Sequence, residues 1–187
     1  MFDNQSLYLF GVLIVMTLKT LTLLLSLITV GGFANMSADA VGRRGPLARF
    51  NRPIWTRVFG ANKTWRGLLV GLAVGVVASP LLWLVWAAAG SRHTAFTWWI
   101  GAAVGLATLL GDAVTSGYKR LRGLATGDRH WTDPFDPAFG VFAGILVVGL
   151  DMETALLSAA LACLLLQYLH PLICQLGYRL GLKAKPY

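Results

Sequence analysis

A helix needs about twenty apolar residues to cross about 30 Å of hydrocarbon. This chain offers apolar runs at Leu7 to Thr29, Leu68 to Ala89, Phe96 to about Ser116, Asp136 to Leu150 and Ala155 to about Leu180. A water-soluble core has no use for them. Only 13% of the 187 residues are charged and 56% are apolar, against about 25% charged in soluble domains. The sequence therefore reads as one integral membrane domain over 1–187, all-α and polytopic, with about five transmembrane helices and a polar cavity facing the cytoplasm. The fourth run is short: about fifteen residues of helix give about 22 Å. It must stand upright, thin the bilayer or begin inside a recess, and its aspartate-rich start favours a recess. The first run lacks a basic flank and exceeds the roughly 7–15 apolar residues of a signal peptide, so it counts as a span.

The formal charge of +8 follows membrane topology. Arg43, Arg44, Arg49, Arg52, Arg57, Lys63 and Arg66 lie between spans one and two, and Lys119, Arg120, Arg122 and Arg129 between spans three and four; Arg179, Lys183 and Lys185 mark the tail. The other side carries Asp3, Arg92 with His93, and Asp151 with Glu153. Positive residues collect on the cytoplasmic side. The expected layout is thus a multi-pass protein of the cytoplasmic membrane, with its amino terminus outside, its carboxyl terminus in the cytoplasm, and cytoplasmic loops at about 34–66 and 117–135. A soluble nucleic-acid binder is excluded by the spans.

Small residues recur every fourth position at Gly67, Gly71 and Gly75, at Gly101 and Gly105, and at Gly140 and Gly144. Such stripes let helix backbones approach closely in lipid. Trp83, Trp86, Trp98 and Trp99 suit an outer aromatic belt. Cys163 and Cys174 read as packing residues, and His170 before Pro171 as a hydrogen-bonded kink residue. Lys19 falls near the middle of the first run, where a charge is costly, so it must face inward or snorkel.

The segment Gly111 to Asp136, GDAVTSGYKRLRGLATGDRHWTDPFD, holds four of the eight acidic residues and four of the sixteen basic ones. If span three continues as helix past Gly111, then Asp112, Ser116, Lys119 and Arg120 share a face. Each following Asp-Pro puts a carboxylate at an N-cap position with proline behind it. Asp133 and Asp136 are also close enough in sequence for one turn to aim both at one cation. Topology alone asks for no carboxylate at Asp112 inside an apolar run. Oxygen ligands without Cys or clustered His suit Mg²⁺, which takes one or two carboxylates and completes its shell with water and phosphates. Neighbouring Lys and Arg supply a phosphate clamp.

The other charged loop carries GANKTWRGLLVG, Gly60 to Gly71. There Asn62, Lys63 and Arg66 stand at the mouth of span two, Thr64 is placed to cap it, and a helix start adds an anion-attracting end. The stretch PLARFNRPIW, Pro46 to Trp55, carries no carboxylate. NKTWRG at Asn62 to Gly67, then GD, S and KR spaced over Gly111 to Arg120, then DPFD at Asp133 to Asp136, resemble the CDP-archaeol synthase family, which is related to the membrane phosphatidate cytidylyltransferases. The resemblance covers roughly Ala34 to Gly144.

That resemblance implies a Mg²⁺-dependent enzyme joining CTP to a lipid phosphate, an archaeal-type ether lipid phosphate or phosphatidic acid, to give a CDP-lipid and pyrophosphate. By matching position, Asp112, Asp133 and Asp136 would hold metal and, with Lys119, form the catalytic set. Ser116, Lys119 and Arg120 would bind phosphate, and Asn62, Lys63 and Arg66 would complete the nucleotide side. The partners implied are CTP, the lipid phosphate and membrane lipids, with no nucleic acid. The alternative is a non-catalytic transporter or lipid-binding membrane protein, which inverted repeats would favour; the sequence shows no convincing repeat. A CDP-alcohol phosphotransferase is disfavoured because its aspartate pattern is absent in the expected order.

Overall fold

The computed structural model describes residues 4–41, 47–89, 97–124 and 130–179, with side chains from residue 19 onward except at 173 and 177. Among these the chain is helical and forms no strand. Six helices follow in order: α1 (Asn4–Ala40), a single turn α2 (Thr56–Phe59), α3 (Trp65–Ala88), α4 (Trp98–Leu121), α5 (Phe135–Val147) and α6 (Met152–Arg179). Four of them, α1, α3, α4 and α6, are long and apolar enough to cross a bilayer. The fifth expected span is α5, whose 13 residues give about 20 Å of helix. It is shorter than the apolar run because hydrogen-bonded turns at 131–134 precede it and Gly149, at φ 89°, closes its far end. Of the residues used to orient the chain, Asp3, Arg43, Arg44, Arg92, His93, Arg129, Lys183 and Lys185 lie outside the described residues.

α5 sits inside the bundle against α4, α6 and α1. Its Ala138, Val141 and Ile145 join Leu24, Leu27 and Val104 in the buried core. The glycine stripes are where backbones meet. A Cβ at Gly71 would stand 2.6 Å from the carbonyl oxygen of Ala34, and one at Gly144 would stand 2.6 Å from Leu27 Cδ2, so α1 nests against α3 and α5 only because those side chains are missing. Both cysteines are free, with Cys174 buried, as packing residues should be.

α1 corrects the reading of Lys19. The helix runs on to Ala40, and its packed part lies late: Ala38 abuts Gly67, and Ser26 accepts from Trp86 Nε1 at 2.9 Å near the far end of α3. Lys19 lies seven residues beyond Ser26, about 10 Å further along the helix, and is exposed. It does not face inward. A helix of 37 residues is much longer than the hydrocarbon core, and contacts rather than hydropathy decide which part of it is buried. The loop expected from residue 34 accordingly starts after Ala40.

Candidate functional site

The C-terminal ends of α1 and α4 and the N-terminal ends of α3 and α5 come together at one end of the bundle. The loop before α3 is closed on itself by an isolated antiparallel bridge between Pro53 and Thr64. Ile54 N donates to Lys63 O at 2.8 Å and Trp65 N to Arg52 O at 3.1 Å. This clamp fixes Lys63 and points it inward, at 13% side-chain exposure. Thr64 caps α3 as expected, its Oγ1 accepting from Gly67 N at 3.0 Å. Because the Trp65 N–H is also taken, this helix end has less to offer an anion than its position suggests.

One face of α4 then organises three contacts, one per turn or so. Asp112 forms a close ion pair with Lys63, and Asp39 of α1 reaches the same ammonium at 4.0 Å. Burial works against the Lys63 charge, but Asp112 and then Asp39 outweigh it, holding the ammonium above the ordinary lysine pKa. Thr115 Oγ1 donates to Asp136 Oδ1 at 2.7 Å. Lys119 forms a close ion pair with Asp133, whose Oδ2 also accepts from His130 N at 3.1 Å. The approach of α5 depends on Gly111, where a Cβ would lie 3.2 Å from the Cα of Asp136. Asp112 and Asp136 are therefore neighbours across the α4–α5 seam.

Several expectations change. Asp133 and Asp136 do not turn toward one point; they read α4 one turn apart, at Lys119 and Thr115. Neither caps α5, whose N-cap is Pro134, with no side-chain cap. Asp136 lies inside the first turn and is buried at 6% exposure. Among the described residues no three His, Cys, Asp or Glu side chains form a metal-binding cluster, so Asp112, Asp133 and Asp136 are not gathered as a set of three. Arg120 donates to Leu124 O and closes the end of α4. Arg66 is buried at 3% exposure, Ser116 is half-buried and Asn62 exposed.

Two residues that sequence reasoning passed over belong to the site. Asp39 is the only acidic residue between Ala34 and Arg66, and that was its one available signal. Thr115 adjoins the Ser116 chosen by helical spacing; only the angle of α5 shows which hydroxyl meets Asp136. A cavity of about 200 Å³ lies at this end, lined among others by Asp39, Asn62, Lys63, Leu109 and Asp112.

Fold and site together define a multi-pass membrane protein with one charged recess, suited to phosphates, at one end of a glycine-packed helical bundle. The chain belongs to the CarS-like CDP-archaeol synthase family, whose profile matches residues 12–187. It is similar to the CDP-archaeol synthase of Sulfolobus acidocaldarius, 29% identical over 133 residues, covering 70% of this chain and 76% of that protein. It is also similar to that of Halorubrum lacusprofundi, 29% identical over 177 residues, 87% of this chain and 98% of that protein. No solved structure matches.

Proposed function

We propose that the protein is a CTP-dependent cytidylyltransferase that converts a lipid phosphate into a CDP-lipid, and that its recess faces the cytoplasm. The observation that carries this reading is the meeting of the three family motifs along one face of α4: NKTWRG through Lys63 with Asp112, and DPFD through Asp133 with Lys119 and Asp136 with Thr115. Family membership favours the enzyme over a non-catalytic transporter.

The chemistry needs no strong base. A phosphate monoester has its second pKa near about 6, so its oxygen is already a nucleophile at neutral pH. That oxygen attacks the α-phosphorus of CTP, the bond to the bridging oxygen breaks, and pyrophosphate leaves with the electron pair. Positioning and charge neutralisation are what the protein must supply. Lys63 and Lys119, each already held by a carboxylate, are preset cations that exchange part of that contact for phosphate oxygens. Arg66, Arg120, Asn62 and Ser116 add donors around them.

Asp112 and Asp136 fit a hard divalent cation: they are adjacent oxygen donors with no thiol nearby, and Mg²⁺ asks for only one or two carboxylates. Bound Mg²⁺ would neutralise charge on the phosphates. Asp133, tied to Lys119, is the less direct ligand. Thr115 holds the Asp136 carboxylate in place. The deciding experiment is incubation of purified protein in detergent with labelled CTP, Mg²⁺ and a panel of ether- and ester-linked lipid phosphates. A labelled CDP-lipid supports the reading; none with any acceptor overturns it.

A further inference from the structure

The charged recess has a neighbour. A second cavity, of about 230 Å³, runs between α1, α5 and α6, lined by residues including Ile28, Gly32, Asn35, Pro137, Leu166 and His170. It follows α1 from Ile28 to Asp39, eleven residues or about 16 Å, close to the depth of one leaflet of a hydrocarbon core about 30 Å thick. Its lining is mostly apolar, and α1 and α6 scarcely touch each other, so the crevice lies between helices that each border on lipid. Asp39 lines both cavities, and Pro137 follows Asp136, so the crevice meets the recess at its carboxylate end. One turn from Asp39, the buried Asn35 Oδ1 has no hydrogen-bond partner among the described residues, which puts an unused polar group at the same end.

We propose that this crevice seats one hydrocarbon chain of the lipid phosphate, with the phosphate at the Asp39 end and the chain running along α1 toward Ile28. This rests on the cytidylyltransferase reading. An amphiphile whose headgroup must enter a charged recess while its tail stays in hydrocarbon needs a slot that is polar at one end and apolar along the rest. The crevice has that gradation. Gly32 gives the slot its width: a Cβ there meets nothing within 4 Å, so a larger side chain fills the crevice without disturbing helix packing. The other apolar groove, along α3 with Val74, Val77 and Leu81, is lined by no carboxylate.

The test compares wild type, Gly32→Ala, Gly32→Leu and, as control, Val77→Phe, with dioleoyl phosphatidate, its diether counterpart and dihexanoyl phosphatidate as acceptors. Gly32→Leu should raise the KM for the long-chain acceptors about tenfold, with Gly32→Ala between, the KM for CTP unchanged and the dihexanoyl acceptor nearly unaffected. Val77→Phe should match wild type. Independently of turnover, a lipid phosphate carrying a diazirine in its chain should label peptides of α1 and α6, and Gly32→Leu should lose that label. Wild-type KM and labelling in a folded Gly32→Leu, or labelling centred on α3, overturns the proposal while leaving the enzyme reading intact. If wild type makes no CDP-lipid from any acceptor the enzyme reading fails, and the labelling pattern alone decides whether the crevice takes a chain.

Discussion

The hydroxyl of Thr115 on α4 donates to the carboxylate of Asp136 on α5 at 2.7 Å, joining the two most closely packed helices inside the recess. Thr115→Val keeps the shape and removes the donor, leaving a buried carboxylate one hydrogen bond short, at a cost of about 1–3 kcal/mol. Thr115→Val should lower the melting temperature in detergent and cut CDP-lipid formation by about tenfold or more, whereas Thr115→Ser should restore most of both. An unchanged melt and full turnover in the valine variant would make the contact incidental.

Lys63 is the cation shared by α1 and α4. Lys63→Met should reduce turnover by about a hundredfold, since a preset charge beside the phosphates is lost. Asp39→Asn, altering the more exposed and more distant partner, should cost only a few-fold. Equal losses in the two variants, read from initial rates at saturating CTP, would mean that Asp39 is as directly involved as Lys63.

Asp136→Asn retains size and an acceptor for Thr115 but lacks the charge a hard cation requires. The protein should fold, and activity should fall by about two orders of magnitude. Excess EDTA should abolish wild-type activity, and Mg²⁺ should restore it. Asp151→Asn is the control at the other end of the bundle: Asp151 caps α6 through Thr154 N at 2.8 Å, and Asn caps about as well as Asp. Normal kinetics in Asp136→Asn, or full turnover in EDTA, would remove the metal from this site.

Gly71 tests the packing. Its missing Cβ would stand 2.6 Å from the Ala34 carbonyl, so Gly71→Val should force α1 from α3 and destabilise the protein by about 1–3 kcal/mol. Resistance to denaturant in mixed micelles measures this. Gly32→Val, in open space on the same α1, should be neutral in that assay, and similar losses for both would point to helix propensity instead.

Topology is checked by tags. One at the amino terminus should be open to protease from outside intact cells, and one at the carboxyl terminus protected. The reverse would put the recess on the face that lacks CTP.

Hydropathy alone set the class of this protein, because satisfying backbone polar groups in lipid leaves an apolar run of twenty residues little choice but a helix. The motifs NKTWRG, GDAVTSGYKR and DPFD likewise announced the charged end, since buried charge in a greasy chain is too costly to be idle. Which groups meet was decided elsewhere. The sequence offered Ser116 by helical spacing, yet the angle at which α5 crosses at Gly111 selects Thr115. It offered Asp133 and Asp136 as a pair, yet α4 separates them onto Lys119 and Thr115. Asp39 looked like a loop residue because the apolar run fades before it, and only the packing of Ala34 and Ala38 against Gly71 and Gly67 carries α1 far enough to bring it to Lys63. Hydrophobicity is a property of segments and survives in one dimension; the register between helices comes from side chains that meet across gaps of many residues, and only the folded bundle fixes it.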